Sequence, residues 1–454
     1  MFCSLAEKVL ALVGLRRVLG FWEVTLAGVG VILGAGIYAL IGVAAGEAGN
    51  LVWLSMILAA VVAGLTGLSY AELSSMLPRA GAEFEYADRA FGKKLAFLVG
   101  WLLVVNGVIA AATVALGFGG YLHALAGTPV ALAAIGLMVA STALLLVGIK
   151  ESARLAVLFT LVEAAGLLII LFVSLPFLGS VDYFATPGVF GVFGAAALIF
   201  FAFIGFEDIS RLAEETKDSA KTIPRALLSA IAISTILYAL VAVAAVSVLG
   251  WQALGASKAP LADVASKALG PAGFLALAVI ALFSTSNTVV MVQLAAARVL
   301  FGMSRGHALP SVLGAVHPKT QVPWIATIVI GGFAALFALV EKISVVADLT
   351  NFTIFLVFIA VNLAAIKLRY SMPGAARPFK TPFNFGKFPL VPALGVVSCI
   401  VLLASLGGDV VIGGLLVVFA GVALDFFMEA KHGPARWAKD SAKHLLVAAR
   451  KRFW

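Results

Sequence analysis

Charged residues are scarce in this chain. Asp, Glu, Lys and Arg make up only 12% of its 454 residues, whereas an ordinary soluble domain carries about 25%. Hydrophobic residues account for 63%, and the mean hydropathy is +1.12. Because so few charges cannot cover the surface of a soluble domain of this length, the composition excludes that class and indicates an integral membrane protein.

Cysteine and histidine are also rare, and neither forms a pattern typical of a catalytic or metal site. The two cysteines, Cys3 and Cys399, are too few for a disulfide framework. The five histidines include no His-Glu-x-x-His motif, and the chain has no Walker loop for a nucleotide. We therefore predict a protein that is not an enzyme and that uses neither a metal nor another cofactor.

Long apolar segments follow one another along the chain. A helix needs about 20 apolar residues to cross the hydrocarbon core of a bilayer. Twelve segments reach about this length: 23–46, 51–77, 95–125, 129–149, 154–178, 189–213, 226–249, 272–303, 322–340, 345–368, 389–406 and 410–428. The sequence thus predicts an all-α membrane protein with twelve transmembrane helices.

Lysine and arginine lie almost entirely on one side of these predicted spans. The opposite side carries only Lys258, Lys267 and Lys342. Because cytoplasmic loops carry the excess of basic residues, we predict a multi-pass protein of the cell membrane with both termini in the cytoplasm. The formal net charge of +9 then reflects the basic residues of the cytoplasmic loops. We expect the protein to lie in a lipid bilayer and not to bind a nucleic acid.

Two short interruptions inside apolar helices are the strongest functional signal. Gly34-Ala35-Gly36 interrupts the first segment, and Phe203 to Glu207 interrupts the sixth. An unpaired backbone group in a bilayer costs several kcal/mol, so a helix breaks there only where protein or ligand satisfies the freed N–H and C=O groups. Paired interruptions in two halves of a chain indicate a transporter binding site near the middle of the membrane.

The interruptions also predict how the chain is organised. Segments 1–5 and 6–10 each begin with an interrupted helix, and a repeat with an odd number of spans must insert its second copy upside down. We therefore predict a 5+5 inverted repeat, with residues 23–178 and 189–369 as its two halves and two further helices at 389–428. A cytoplasmic N-terminal segment (1–22) and a basic cytoplasmic tail (429–454) complete the prediction.

Five groups of short strings, in this order along the chain, resemble the amino acid–polyamine–organocation (APC) transporters. They are Gly28–Tyr38; Pro78–Tyr86 with Gly92; Phe200–Glu207 with Glu214–Asp218 and Ile223–Ala226; Ala297–Val299 with Ser304-Arg305 and Leu309-Pro310; and Arg377–Lys380. The resemblance extends from about residue 20 to about residue 428, although Ser219 replaces a proline that is usual in the family. It implies a LeuT-type fold, with helices 1 and 6 broken, and alternating-access transport of amino acids driven by protons, sodium or exchange.

An amino acid zwitterion matches the backbone groups that two broken helices free. The N-terminal end of a half-helix offers N–H groups to a carboxylate, and a C-terminal end offers carbonyl groups to an ammonium. We predict that amides after the first break bind the carboxylate and that carbonyls of both breaks bind the ammonium. The candidate substrate-binding residues are Leu33, Gly34, Ala35, Gly36, Ile37, Phe201, Ala202, Phe203, Ile204 and Gly205. Phe203 is the preferred aromatic gate among Phe201, Phe203 and Phe206. A glycine-rich packing face is the alternative role for the first motif.

Glu163 lies in the middle of the fifth predicted span, where a charged group is costly and indicates function by default. The resemblance implies a lysine at this position in many relatives, so the sign of the charge is reversed here. The carboxyl could carry a coupling proton, bind sodium, or serve as a structural group. The further candidates for coupling are Glu207, Gly30, Ser284, Thr285 and Ser286.

The preferred function is proton-coupled uptake of an amino acid by a secondary transporter. Exchange or uncoupled facilitation and sodium symport are alternatives, and a membrane sensor or channel that binds an amino acid is the alternative from another class. The apolar lining favours neutral or hydrophobic substrates, whereas Glu163 or Glu207 would suit a cationic one. Any partner subunit is left open.

Overall fold

The computed structural model describes residues 18–77, 82–147, 153–306, 308–320 and 322–432, which form an almost entirely helical protein. The α-helices in these ranges are α1 (Phe21–Leu33), α2 (Gly36–Ala48), α3 (Val52–Met76), α4 (Ala82–Phe91), α5 (Lys93–Ala126), α6 (Val130–Val147), α7 (Ala153–Ser174), α8 (Val189–Ile199), α9 (Asp208–Arg211), α10 (Ser219–Ala256), α11 (Pro260–Leu269), α12 (Pro271–Arg305), α13 (Trp324–Ala338), α14 (Ile343–Ser371), α15 (Leu390–Ala404) and α16 (Gly408–His432). The strands β1 (Asn384–Phe385) and β2 (Phe388–Pro389) form a small antiparallel pair between α14 and α15.

The helices have the length and composition of membrane spans. Within the described ranges, nine helical stretches are long and apolar enough to cross a membrane, and α1, α13 and α15 are shorter apolar helices. Large apolar side chains such as Leu132, Phe172 and Phe419 are exposed on the outer surface, where a helix in water would carry polar groups. The all-helical membrane protein expected from the composition is therefore confirmed.

Tyrosines at membrane depth tie the helices around α1 and α2 together. Tyr38, Tyr121 and Tyr238 are fully buried. The Tyr38 hydroxyl donates to the backbone carbonyl of Glu163 at 2.6 Å, and the Tyr121 hydroxyl donates to the carbonyl of Tyr38 at 3.0 Å. A buried tyrosine hydroxyl needs such a partner, so these rings supply apolar bulk and fix the positions of neighbouring helices at the same time.

The segment after the second interruption differs from the expected half-helix. The sequence predicted apolar helix up to residue 213, but α9 has only four residues and a 3₁₀ turn (Leu212–Glu214) follows it. The chain then pairs with the residues that precede α1: the Leu19 N–H donates to the Glu215 carbonyl at 3.1 Å, and the Lys217 N–H donates to the Leu19 carbonyl at 2.9 Å. This pairing requires the backbone to leave helical geometry early.

Some sequence predictions fall outside the described ranges. They include the N-terminal segment as far as residue 17, the Pro78–Gly81 part of the second group of strings, and the basic tail from residue 433.

Candidate substrate and coupling site

The two interruptions lie against each other. α1 ends at Leu33, Gly34 leaves helical geometry (φ −23°, ψ −171°), and α2 begins at Gly36. α8 passes into a 3₁₀ turn at Phe200–Phe203. A methyl group at Gly36 would lie 2.7 Å from the Cα atom of Ala202, so only glycine permits this close approach of the two backbones. The structure thus brings together two of the motifs that the sequence singled out.

The N-terminal end of α2 faces helix α12. The Ala35 N–H donates to Thr288 Oγ1 at 3.1 Å. The first N–H groups of any helix lack an intrahelical acceptor, and in α2 the next of these belong to Gly36 and Ile37. Of the three amides predicted to bind a carboxylate, one is therefore engaged by a side chain from a distant helix.

Carbonyl groups of both interruptions meet at Tyr238 on α10. Its hydroxyl lies 2.6 Å from the Ile32 carbonyl oxygen and 3.2 Å from the Ala202 carbonyl oxygen. The two carbonyl oxygens therefore share its single proton. Tyr238 therefore occupies part of the carbonyl face that the sequence assigned to a substrate ammonium. A carbonyl oxygen has a second lone pair, so Ala202 keeps acceptor capacity.

Two more side chains satisfy the second interruption. Asn351 on α14 is fully buried, and its Nδ2 donates to the carbonyls of Ala197 at 2.7 Å and Leu198 at 2.9 Å. The backbone at Gly205 has φ +113°, a conformation that side chains oppose, and its N–H donates to Glu207 Oε2 at 2.9 Å. Glu207 thus makes a local contact that stabilises the turn.

The three aromatic gate candidates have different surroundings. Phe203 packs edge-on against Tyr238, with ring centroids 5.4 Å apart. Phe206 packs between Tyr70 and Phe358, at 5.9 Å and 5.2 Å. Phe201 keeps 7% exposure, whereas Phe203 and Phe206 are fully buried.

Glu163 lies on α7 beside the first interruption and is 2% exposed. Its carboxyl faces the side chains of Ser284 and Asn287 on α12. Its Oε1 atom and the Ser284 Oγ atom are buried without a hydrogen bond to a described residue, and Glu163 is absent from the ion pairs of the described residues. The side chains that face this carboxyl are therefore neutral.

The polar run of α12 divides into two faces. Thr285 Oγ1 donates to the Ala281 carbonyl and Ser286 Oγ to the Leu282 carbonyl, both at 2.7 Å. Ser284, Asn287 and Thr288 instead share the face toward Glu163 and Ala35, as residues three and four apart on a helix do. Of the three predicted α12 candidates, only Ser284 is thus placed beside Glu163.

Gly30 fits a packing role. A side chain at this position would collide with Thr160 on α7, one turn before Glu163, so the glycine lets α1 approach α7 closely.

Sequence reasoning missed several contacts of this site. Tyr238 and Asn351 lie in apolar helices with no local signal, because their partners come from distant segments. Asn287 was recognised as a polar group of this span that could line the path, and Thr288 was accessible in principle because it ends the same polar run, 284–288.

A separate cavity of about 480 Å³ lies between α5, α12, α13 and α16. Its lining is apolar and includes Trp101, Leu300, Phe333 and Leu416. A zwitterion needs polar partners when it leaves water, so this cavity does not suit an amino acid, and the two interruptions are the better candidate site.

The apolar helices define a multi-pass membrane protein, and comparison with known proteins identifies its family. A model of the amino acid permease family matches residues 19–419. The chain belongs to this family, within the APC superfamily of transmembrane transporters.

Similar proteins cover most of the chain. The branched-chain amino acid permease BcaP of Bacillus subtilis (strain 168) is 32% identical over 442 residues, which cover 92% of this chain and 94% of the relative. The methylthioribose transporter of the same organism is 31% identical over 448 residues, covering 92% and 94%. The vacuolar cationic amino acid transporter 4 of Arabidopsis thaliana is 31% identical over 391 residues, covering 79% and 64%. All three relatives are named as permeases or transporters.

The contact between the two interruptions yields a testable prediction. Gly36→Ala would place a methyl group 2.7 Å from Ala202 Cα. Overpacking of this kind costs about 1–3 kcal/mol. If the free protein relieves the strain by separating the two interruptions, substrate binding must restore the contact, and affinity falls by about fivefold to 150-fold. Binding to the purified protein, measured by calorimetry or by radioligand, checks this expectation.

Gly64→Ala is the matched control, because a methyl group at Gly64 meets nothing within 4 Å. It should leave binding unchanged. Equal affinity in Gly36→Ala and Gly64→Ala would show that the contact between the interruptions does not shape the binding site.

Proposed function

We propose that this protein is a secondary transporter that carries an amino acid across the cell membrane by alternating access. The observation that supports this proposal best is the contact of two interrupted helices at Gly36 and Ala202. Broken helices at membrane depth are stable only where protein, ligand or water satisfies their backbone groups, and a pair of them in two halves of one chain is typical of secondary transporters.

The proposed arrangement has twelve spans and a LeuT-type fold. α1 and α2 together form the first span, and the long helical stretch Gly36–Met76 divides at Gly49, where φ is +71°. With the shorter helices α13 and α15 included, twelve spans result. Residues 23–178 and 189–369 then form the inverted repeat, 389–428 the last two spans, and both termini lie in the cytoplasm.

The substrate would bind with its carboxylate at the N-terminal end of α2, where Gly36 and Ile37 present N–H groups next to Gly34 and Ala35. Its ammonium would donate hydrogen bonds to the backbone carbonyl oxygens of Leu33, Phe201, Ala202 and Ile204. Phe203 would shape the site by packing against Tyr238. Gly205 would do so through the turn that its hydrogen bond to Glu207 stabilises. The second half-helix is short, so α2 and α8 supply most of the dipole that orients the zwitterion.

The side chain of the substrate is the open part of the proposal. The names of the relatives specify branched-chain amino acids, methylthioribose and cationic amino acids, so membership of this family does not fix the side-chain pocket. Phe201 and Ile204 lie at the second interruption and are apolar, which favours a neutral, apolar amino acid.

Glu163 is the proposed site of the coupling proton. A buried carboxylate without a cationic partner is costly, and protonation removes that charge without any other ion. Ser284 and Asn287 can hydrogen-bond either form of the carboxyl. Glu163 also lies on the helix that receives the Tyr38 hydroxyl, so a change at its carboxyl acts directly beside α2.

Sodium coupling is the weaker alternative for the same place. Sodium would need several oxygen ligands, and the candidates are Glu163, Ser284 and the carbonyls of Gly30 and Leu33. Of the three predicted hydroxyl ligands, Ser284 faces Glu163, whereas the hydroxyls of Thr285 and Ser286 donate to carbonyls of their own helix. Proton coupling needs no such ligand set.

Flux in proteoliposomes tests the function. With labelled amino acids outside and an inward proton gradient, we expect accumulation against a concentration gradient, and we expect none when the gradient is collapsed. Accumulation only with a sodium gradient would identify sodium as the coupling ion. Uptake stimulated only by internal amino acid would indicate exchange. Saturable binding without flux under all conditions would refute transport and favour a sensor.

The role of Glu163 has its own test. Glu163→Gln keeps the size of the side chain and removes the titrating group, so proton-driven accumulation should disappear while exchange of internal for external substrate persists. Glu207→Ala is the comparison variant, because it removes the oxygen that accepts the Gly205 N–H and should lower both activities together. Accumulation at the wild-type level in Glu163→Gln would remove Glu163 from the coupling mechanism.

A further inference from the structure

The short β pair between α14 and α15 carries exposed phenylalanines. In this pair Asn384 lies opposite Pro389, and Phe385 lies opposite Phe388. Cross-strand partners share a face of the pair, and neighbours along a strand lie on opposite faces, so one face holds both phenylalanines. Their side chains are 72% and 38% exposed, and Phe383, just before β1, is 73% exposed. We call residues 380–389 the aromatic hairpin.

The opposite face of the aromatic hairpin is fixed to the helices. Asn384 Oδ1 accepts a hydrogen bond from Arg369, near the end of α14, and Asn384 Nδ2 donates to the Thr381 carbonyl at 2.8 Å. Arg369 also donates to Thr381 Oγ1 at 2.8 Å and to both carboxylate oxygens of Glu72 on α3. The side chains of Arg369 and Glu72 are only 9% and 2% exposed. Buried polar groups therefore hold the hairpin in place, while its phenylalanines stay outside.

The backbone at Phe383 is strained. Its φ is +55°, in the left-handed region that bulky side chains rarely adopt. Its carbonyl accepts the Leu390 N–H at 3.1 Å, which holds the residue at the start of α15. Strained residues persist only where the surrounding structure fixes them, and they cluster at binding sites. A strained backbone that keeps an aromatic ring exposed points to a partner that covers this ring.

The length of α15 places the aromatic hairpin at the surface of the bilayer. α15 begins directly after β2 and has only 15 residues, which form about 22 Å of helix, whereas the hydrocarbon core is about 30 Å thick. The residues next to Leu390 must therefore lie close to the membrane. Unpaired backbone groups of so short a β pair exclude the hydrocarbon itself. The hairpin thus fits the headgroup region, from which its rings can reach the acyl chains.

The charged residues of this loop are all basic. Residues 372–389 contain Arg377, Lys380 and Lys387 but no Asp or Glu. Arg377 is 6% exposed and lies beside Glu72. Lys380 and Lys387 are exposed, and neither forms an ion pair with a described residue. Two uncompensated cations beside exposed aromatic rings match an anionic phospholipid, which has a negative headgroup and apolar chains.

We propose that the aromatic hairpin is a lipid-binding element: its phenylalanine rings enter the surface of the bilayer, and Lys380 and Lys387 bind the headgroups of anionic phospholipids. In the proposed topology these lipids belong to the cytoplasmic leaflet. A soluble protein could also cover aromatic rings, but the short α15 holds them at the bilayer, where lipid is already present. The inference needs no transport activity, so its test is independent of the proposed function.

Quenching by brominated lipids tests the proposal. A chain with Cys3→Ser and Cys399→Ala carries a fluorophore at Phe385→Cys, in vesicles of phosphatidylcholine and phosphatidylglycerol of which only one is brominated on its acyl chains. Both leaflets have the same composition, so the result does not depend on the orientation of the protein. Because each lysine near an anionic surface favours the anionic lipid by about fivefold, phosphatidylglycerol should bind about 5 to 30 times more strongly than phosphatidylcholine. Absent quenching, or equal quenching by both lipids, would overturn the proposal.

Matched variants identify the groups responsible. Phe419 on α16 is 70% exposed, so a fluorophore at Phe419→Cys should be quenched by both brominated lipids without preference. Lys380→Gln with Lys387→Gln, added to Phe385→Cys, should lower the ratio of the two binding constants to about 1, while Lys319→Gln in the loop before α13 should leave it unchanged. A preference for phosphatidylglycerol that survives the double substitution, or that is equally strong at Phe419→Cys, would contradict binding by the two lysines.

Discussion

Backbone hydrogen bonding is the constraint on which the rest of this structure depends. A helix that breaks among apolar helices frees N–H and C=O groups, and each group left unpaired costs several kcal/mol. Here the partners come from other helices: Thr288 on α12, Tyr238 on α10 and Asn351 on α14. The interruptions can exist because three distant helices supply those partners, and these helices surround the proposed substrate site.

The sequence predicted the location of the interruptions but not what stabilises them. Glycines at 34 and 36 mark the first break, because a change of backbone direction at membrane depth needs residues without side chains. Tyr238 carries no comparable local signal, since its role depends on packing between segments far apart in the chain. Helical periodicity could have separated Ser284 from Thr285 and Ser286. The short α9 depends on pairing with Leu19, which no local pattern encodes.

Two buried glutamates show how surroundings divide their roles. Glu72 is 1% exposed and lies beside Arg369 and Arg377, so its charge is compensated and its carboxylate is fully hydrogen-bonded. Glu163 is 2% exposed and faces the neutral groups of Ser284 and Asn287. A compensated charge suits a permanent link between helices. An uncompensated carboxyl can change its charge by taking up one proton, which suits a group that must respond during each transport cycle.

The proposed proton site lies beside the contact between the first interruption and α12. The bond from Ala35 to Thr288 joins the first interruption to α12, which packs along α5. The Tyr238 contacts to Ile32 and Ala202 hold the two interruptions to each other instead. Glu163 and Ser284 lie next to the Ala35–Thr288 contact. Under the proposed proton coupling, a proton that reaches Glu163 changes the electrostatics beside this contact, whereas the Tyr238 hydrogen bonds that hold the two interruptions together involve no carboxyl group.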